Sequence, residues 1–257
     1  MTFSEQIVYA MFKPAKYKEI LKLKKRRAVL FVVVLMLVLG IVRFVVPTAS
    51  IIAGFGGFES LFSNKISALE YSDGKLSIEQ PFIMNFSGIN VMIDTSVETI
   101  TDDMLERDGT YFAIGSKQLR CVVVADEPLY ELAPINLNEL LPEGFNNAMM
   151  LELIPGIYLY MVIYFLILCV GFFIKYGFLA LIFSLTANGM NKMMELRLSF
   201  GEVFMICFYG QTFGIILSNF TAAIVGYIPM FISLIGIFIS IHMITSAILH
   251  IKGIKEV

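Results

Sequence analysis

The stretch KLKKRRAVLFVVVLMLVLGIVRFVV, residues 22–46, places five basic side chains directly before nineteen residues whose only charged side chain is Arg43. A bilayer core about 30 Å thick is crossed by about 20 helical residues, so residues 28–46 predict a transmembrane helix. Basic residues beside a first span stay on the cytoplasmic side of the membrane. The same stretch therefore also predicts the orientation of that helix.

Three more apolar segments follow this first span, at residues 156–187, 199–220 and 227–249. Of the 257 residues, 58% are hydrophobic, and the mean hydropathy is +0.80, which excludes an ordinary soluble domain. Segment 156–187 is longer than one perpendicular crossing needs, so we expect it to tilt, bend or continue beyond the membrane surface. We count it as one helix, with two left open, and predict a polytopic α-helical membrane protein with about four transmembrane helices.

Acidic and basic residues are segregated along the chain. Residues 59–152 contain 16 acidic and 5 basic side chains, a balance of −11, whereas the rest contains 5 acidic and 14 basic side chains, a balance of +9. Because basic segments stay in the cytoplasm, the acidic middle is expected outside. We predict a multi-pass membrane protein with both termini cytoplasmic. Its parts are a basic, partly amphipathic arm (1–27), an extracytoplasmic domain inserted between helices 1 and 2 (47–153), and a transmembrane bundle with a cytoplasmic tail (154–257).

The first span has two interpretations. A cleavable signal peptide is one, because residues 48–50 are small and stand near a suitable cleavage position. An uncleaved anchor is the other, because Phe3, Ile7, Phe12 and Ile20 are spaced as if to lie on the membrane surface. We expect the anchor.

The basic run before the span could be mistaken for a nucleic-acid patch. Its position against a membrane helix makes anionic lipid the expected counter-charge, and no nucleic-acid partner is expected. The residues predicted to face lipid are Lys22, Lys24, Lys25, Arg26 and Arg27.

Turn residues divide the external region into short strands. Asp73 and Gly74 stand between two β-rich runs, and Asp-Gly supplies the positive φ angles of a tight hairpin turn. Residues 89–95 (INVMIDT) alternate with period two, and residues 110–124 predict a second hairpin that turns at 115–117. The short helices expected beside five or six strands are 96–108 and 136–141. The external domain is therefore predicted to be α+β.

The strand INVMIDT ends on Asp94 and Thr95, a pair that two kinds of protein place there. Aspartic proteases have an Asp-Thr-Gly loop after an apolar strand, so that two carboxylates share one proton. Here Ser96 stands in place of the Gly, no second Asp-Thr pair occurs in the sequence, and a shared pair would need a dimer. The alternative, which we expect, is that Asp94 and Thr95 form a structural turn or cap and the protein has no catalytic residues.

Three polar residues fall inside the predicted spans. Measured from the cytoplasmic helix ends at 1.5 Å per residue, Lys175 lies about 18 Å deep, Gln211 about 16 to 18 Å and His242 about 10 to 12 Å. Ionisable residues at depth are costly and mark partners or pathways by default. One interpretation is a polar or proton-sensitive cavity shared by the three. The other, which we favour, is that Lys175 snorkels to the surface and His242 bonds a neighbouring helix.

Other features of the sequence are structural. Gly210, Gly214 and Gly226 are expected to mark close approaches between helices. The sequence contains no phosphate-binding glycine loop, no His or Cys cluster at metal-ligand spacing and no serine nucleophile motif. We therefore expect no metal and no cofactor.

Three segments, MFKPAKYKEILKLKKRRAVLF (11–31), DGKLSIEQPF (73–82) and VMIDT (91–95), resemble an uncharacterised family of Gram-positive bacterial membrane proteins, the domain of unknown function 1189 family. The resemblance covers essentially the whole chain and implies a basic arm, a first span, an external domain and C-terminal spans. Some members are described as maltodextrin-utilisation accessory proteins because their genes neighbour sugar-uptake genes. This implies a link to carbohydrate uptake.

Residues 185–211 also resemble, more loosely, the YIP-type membrane proteins. In those proteins a span ends in a polar cytoplasmic turn, and a Ser-Phe-x-Glu motif with a later Tyr opens the next span. Ser199, Phe200, Glu202 and Tyr209 occupy these places, while Gly210 stands where a Pro commonly follows the Tyr. The resemblance implies topology and supplies no catalytic residues.

Two functions are consistent with these features. The leading hypothesis is a non-enzymatic membrane accessory or sensor protein, whose external domain binds a partner or ligand and whose spans assemble with other membrane proteins such as an uptake system. Oligomers are left open. The alternative is a small transporter or lipid-handling protein that uses Lys175, Gln211 and His242. A membrane hydrolase acting through Asp94 is a distant third.

Overall fold

The computed structural model describes residues 1–66, 68–86, 89–105, 109–124, 130–225 and 228–253. The chain forms two compact units. The first, called the helix bundle below, combines Met1–Pro47 with Val162–Val257. The second, called the sheet module, is Thr48–Met161 and contains the β-strands of the described residues.

The helices of both units are numbered in chain order. They are α1 (Phe3–Phe12), α2 (Tyr17–Leu21), α3 (Lys25–Gly40), α4 (Val46–Gly54), α5 (Phe58–Ser60), α6 (Leu137–Leu140), α7 (Asn147–Glu152), α8 (Ile154–Met193), α9 (Phe200–Gly210), α10 (Thr212–Val225) and α11 (Met230–Lys252). Short 3-10 turns lie at Pro14–Lys16 and Asp102–Met104, and π-helical turns at Ile41–Val45 and Leu61–Lys65.

Within the described residues, four helical runs are long and apolar enough to cross a membrane. They are Lys25–Lys65, Asn147–Met193, Phe200–Val225 and Met230–Ile251. Helix α8 continues without a break for 40 residues, so the segment predicted at 156–187 is a single helix. At 1.5 Å per residue it is about 60 Å long, twice the thickness of a bilayer core.

The core of the bundle forms where the helices present large apolar side chains at helical spacing. Phe31, Leu35 and Leu39 recur every four residues on α3 and are buried. They belong to one cluster with Tyr176 of α8 and Ile206 of α9. Helix α9 begins at Ser199, whose hydroxyl accepts from the Glu202 backbone N–H while the Glu202 carboxylate accepts from the Ser199 N–H, a capping box. Ser199 and Glu202, which resemble part of the YIP-type motif, therefore form a helix start.

The N-terminal arm packs into the bundle. Tyr17 and Ile20 of α2 are fully buried, and the Tyr17 hydroxyl donates to the carbonyl of Ala10 at 2.9 Å. Burial raises the pKa of Tyr17 far above its ordinary value, so its hydroxyl is neutral. The expectation that Ile20 lies on a membrane surface is wrong. Helix α1 fits against the bundle through Gln6 and Ala10, which face inward one turn apart.

Tyr209 of α9 joins the arm to the rest of the bundle. Its ring stacks on Phe31 of α3 with a centroid separation of 4.5 Å and an interplanar angle of 15°. Its hydroxyl donates to the Gln6 side-chain oxygen at 2.8 Å, across 203 residues of sequence. Tyr209 is thus a contact between three helices.

In its described residues, the sheet module contains one antiparallel sheet and one mixed sheet. Their strands are β1 (Glu70–Ser72), β2 (Lys75–Ser77), β3 (Phe82–Phe86), β4 (Ile89–Ile93), β5 (Gly109–Ile114), β6 (Gln118–Val124), β7 (Tyr130–Glu131), β8 (Ile135–Asn136) and β9 (Phe145–Asn146). One sheet has the order β2-β1-β9, and the other has the order β3-β4-β5-β6-β7 with β8 paired to β6. Strands β4 and β5 are parallel, and the other neighbours are antiparallel.

Both predicted hairpins are confirmed. Strands β1 and β2 pair across Asp73 and Gly74, whose φ angles are 51° and 71°, as the Asp-Gly turn requires. Strands β5 and β6 pair with Ile114 opposite Leu119, so the chain turns at Gly115–Lys117. The predicted short helix at 136–141 is also present, as α6.

The predicted helix at 96–108 is wrong within the described residues, where only the 3-10 turn Asp102–Met104 forms. The carbonyls of Val97 and Glu98 accept from the backbone N–H groups of Ser116 and Lys117, so they are unavailable to a helix. Arg120 donates to the Ile100 carbonyl at 2.5 Å and to Asp102 at 2.8 Å. Residues 106–108 lie outside the described part of the chain.

Candidate functional site

A cavity of about 160 Å³ lies in the helix bundle between α8, α10 and α11. It is called the bundle cavity below. Its polar lining residues are Lys175, Gln211, Ser218, Ser233 and Ser240, and apolar residues including Leu179, Phe183, Ile215, Ile228 and Ile237 complete its wall. Small residues create the space, because Gly214 and Gly236 also line it.

Gln211 stands at the junction of α9 and α10 and is only 1% exposed. Its side-chain Nε2 donates to the Tyr176 carbonyl of α8 at 2.8 Å. Its Oε1 is buried and has no hydrogen-bond partner among the described residues. A buried acceptor without a donor lowers the stability of the fold by about 1–3 kcal/mol. The Gln211 amide oxygen is therefore able to accept a further hydrogen bond.

Lys175 lines the cavity from an exposed position on α8. Its Nζ lies 5.4 Å from the centroid of the adjacent Tyr176 ring, within the range of a cation–π interaction. The Tyr176 hydroxyl accepts from Asn219 Nδ2 at 2.6 Å, and the same amide donates to the Ile215 carbonyl at 2.8 Å. The face of α8 around Lys175 is therefore held against α10 by buried polar contacts.

Close packing of α10 on α11 forms the floor of the cavity. A Cβ atom on Gly214 would lie 2.7 Å from the Gly236 carbonyl oxygen, and one on Gly210 would lie 2.6 Å from the Ile244 side chain. The prediction that Gly210 and Gly214 mark close helix approaches is confirmed. Gly226 lies outside the described residues.

Two members of the predicted polar cluster meet, and the third does not. Lys175 and Gln211 line the same cavity, whereas His242 is exposed on another face of α11 and does not line it. An α-helix turns about 100° per residue, so His242 points about 200° away from Ser240, which faces the cavity. The grouping of His242 with Lys175 and Gln211 is corrected accordingly.

Sequence reasoning missed the serines of the cavity. Ser233, Gly236 and Ser240 follow each other at spacings of three and four residues, which places them on one face of α11. Ser240 is buried and its hydroxyl donates to the Gly236 carbonyl at 2.7 Å. This stripe of small polar residues in an apolar helix was the signal available in the sequence.

The basic residues predicted to face lipid lie together at the start of α3. Lys22, Lys24, Lys25, Arg26 and Arg27 are all exposed. An open groove of about 600 Å³ is lined by Lys22, Lys24, Arg26 and Arg27 with Leu23 and Leu30. The surface at this end of the bundle therefore carries concentrated positive charge.

Asp94 and Thr95 make local contacts in the sheet module. The Asp94 carboxylate accepts from the Ser96 backbone N–H at 3.0 Å and from the Ser96 hydroxyl at 2.6 Å, which is an Asx-turn. The Thr95 hydroxyl accepts from the Ile78 N–H at 3.2 Å. Both side chains stabilise the turn that follows β4. In the described residues, no three His, Cys, Asp or Glu side chains are grouped as metal ligands.

The fold defines a class of protein: in the described residues, four helices are apolar and long enough to cross a membrane, and a β-sheet region lies between the first and second of them in sequence. The chain belongs to the DUF1189 family of proteins of unknown function, whose family model matches residues 5–248. The family resemblance seen in the sequence is thereby confirmed. Neither the curated proteins nor the solved structures contain a match to the chain.

Proposed function

We propose that this chain is a non-enzymatic integral membrane protein that serves as an accessory or sensor subunit in the bacterial cytoplasmic membrane. In this role the helix bundle holds the protein in the bilayer, and the sheet module binds a partner or ligand on the extracytoplasmic side. The observation that carries the proposal is the large apolar surface of the bundle.

This surface is concentrated on the outward faces of the long helices. Ile167, Ile174 and Phe178 of α8 are 63%, 64% and 63% exposed, and Phe238 of α11 is 70% exposed. Soluble monomers rarely expose contiguous apolar patches larger than a few hundred Å². Hydrocarbon tails would cover these side chains, while the buried amides of Gln211 and other polar groups face inward.

The proposed orientation puts both termini in the cytoplasm. The exposed basic residues at the start of α3 support it, because such residues stay on the cytoplasmic side. A membrane-impermeant maleimide tests it in intact cells, with Cys121 replaced by Ser. Cysteine introduced at Asn138 of the sheet module should react, whereas cysteine introduced at Lys24 should react only after the cells are opened. The reverse pattern would refute the orientation.

The sheet module offers an exposed edge to a partner. Strand β3 ends the larger sheet, and its Ile83 is 69% exposed. Sheet edges present unpaired backbone groups that can accept another strand. A photo-crosslinking residue at Ile83 should capture a discrete partner in native membranes, and the same residue at Asn138 of α6 is the matched control. Equal, diffuse labelling from both positions would count against a partner at this edge.

The proposed link to carbohydrate uptake rests on the family resemblance. Its test is the uptake of labelled maltodextrin by cells that lack the protein. Uptake should fall, and it should recover when the full chain is supplied. Recovery of a component of an uptake system in the Ile83 crosslink would support the same link, and unchanged uptake would refute it.

A second function, a small transporter or lipid-handling protein, is favoured by the bundle cavity. Lys175 and Gln211 bring polar groups from two helices to one opening in an apolar bundle. Four spans are few for a solute path in one protomer, so transport would require an oligomer or a partner. Reconstituted protein should then move solute or lipid across the vesicle membrane. Absence of any such movement would favour the accessory role.

A further inference from the structure

Lys175 stands inside a continuous apolar surface. On the same helix, Val162 and Leu185 are both large, apolar and exposed, and they lie 13 and 10 residues away. At 1.5 Å per residue these separations are about 20 Å and 15 Å along the helix axis. A lysine this far inside an apolar band needs a counter-charge or a polar partner.

The wall of the bundle cavity supplies no such counter-charge. Among the residues that the structure describes, its lining includes no Asp and no Glu. The ring of Tyr176 offers a cation–π contact, which is a partial substitute for an anion. A negatively charged group that entered the cavity would therefore meet the Lys175 cation and, among the described lining residues, no repelling carboxylate.

The remaining polar groups favour a head group with hydroxyls. Gln211 keeps a buried acceptor without a partner among the described residues, and it needs a donor. Ser218 and Ser233 add hydroxyls that both donate and accept. The cavity of about 160 Å³ has room for several water molecules, and so for a small head group but not for a whole lipid.

The mouth of the cavity is apolar. Ile237 lines the cavity and is 41% exposed, and Ile174 and Phe178 flank Lys175 on the exposed face of α8. A hydrocarbon tail attached to the head group could lie along these side chains and bury apolar area.

We propose that the bundle cavity binds the oxyanion head of an amphipathic molecule, with a phosphate or carboxylate paired to Lys175 and the attached hydrocarbon tail along the outer face of α8 and α11. Where the head group carries a hydroxyl, as in phosphatidylglycerol, that hydroxyl donates to Gln211 after a small rotation of the side chain. This site deepens the lipid-handling function and is independent of partner binding by the sheet module.

The test uses the full chain, purified in an uncharged detergent and supplied with phosphatidylglycerol, oleate, phosphatidylcholine or inorganic phosphate. Bound molecules are counted by native mass spectrometry. Wild type should retain phosphatidylglycerol or oleate at least tenfold more than the variant Lys175→Met. Lys192→Met, on the same helix but outside the cavity, should behave as wild type, and Lys175→Arg should retain most of the binding.

The outcomes separate the sources of the oxyanion. Retention of phosphatidylglycerol alone assigns a lipid phosphate, and retention of oleate alone assigns a carboxylate. Equal retention by Lys175→Met and wild type, equal retention of phosphatidylcholine, or equally strong binding of inorganic phosphate would overturn the proposal. Circular dichroism of Lys175→Arg and Lys175→Met should match the wild-type spectrum, which checks that both variants fold. A negative lipid-binding result would not change the Ile83 crosslinking result. Failure of the proposed cavity site is therefore distinguishable from failure of the accessory role.

Discussion

Gly214 should tolerate no side chain, because α10 meets the backbone of α11 at this point. In Gly214→Ala the new Cβ would lie 2.7 Å from the Gly236 carbonyl oxygen, so the two helices must move apart. Overpacking of this kind costs about 1–3 kcal/mol. The substitution also gains about 0.5–1 kcal/mol, because Ala favours a helix over Gly.

The matched control is Gly171→Ala on α8, where a Cβ would meet nothing within 4 Å. The helix-propensity gain is common to both variants, so the difference in their free energies of unfolding equals the overpacking cost. Gly236→Ala should fall between them, since its Cβ would lie 3.2 Å from the Gly214 Cα.

The free energies of unfolding are measured by denaturant titration of the full chain in detergent micelles. We expect Gly214→Ala to be about 1–3 kcal/mol less stable than Gly171→Ala, a factor of about 5 to 150 in the unfolding equilibrium. Equal stability of the two variants would show that α10 and α11 do not approach closely here.

Three further changes test other contacts. Tyr209→Phe leaves the buried Gln6 oxygen without its donor and should destabilise the bundle by about 1–3 kcal/mol, seen as faster proteolysis of the N-terminal arm. Asn147→Ala removes two donated hydrogen bonds of 2.6 Å and one accepted hydrogen bond of 2.7 Å that hold the chain before β1. It should lower the free energy of opening of the sheet module, measured by hydrogen exchange, by about 2–4 kcal/mol. The hydrogen bond and charge of Lys117 lower the pKa of Glu98, so the pair stabilises the module above the ordinary glutamate pKa and loses this effect as the pH falls through the lowered value. Glu98→Gln should therefore reduce the fall in the melting temperature of the module between about pH 6 and about pH 3.

Each of these changes has a control on the same unit. Tyr164→Phe removes the hydroxyl of an exposed tyrosine of the helix bundle, Asn138→Ala removes an exposed amide of α6, and Glu59→Gln removes an exposed carboxylate. All three controls should match wild type. A control as disruptive as its partner variant would contradict the contact in question.

Features set by local sequence were predictable. The long helices follow from apolar length alone, and the Asp73-Gly74 hairpin follows from the positive φ angles that this pair adopts readily. Lys175 and Gln211 were found as candidates because polar residues are conspicuous in apolar helices. The angular position of His242 depends on how α11 is rotated, which sequence depth does not reveal.

Features set by distant contacts were not predictable. Residues 96–108 have a helical pattern, yet Ser116, Lys117 and Arg120 bind carbonyls of its described part and make them unavailable to a helix. The arm looked like a surface helix because its apolar residues are spaced for one. The hydrogen-bond partner of Gln6 is Tyr209, 203 residues later, and no local pattern predicts such a contact.

The bundle is assembled from both ends of the chain, since Met1–Pro47 packs with Val162–Val257. During synthesis, α1 to α3 emerge long before α9 to α11. Until those later helices are made, Gln6 and Tyr17 of the arm lack the helices that they pack against in the folded bundle. Contacts of such sequence separation form slowly, because a long loop must close first. A ribosome that stalls before α11 is complete would leave a half-built bundle, and such truncated chains are natural targets for membrane quality-control proteases.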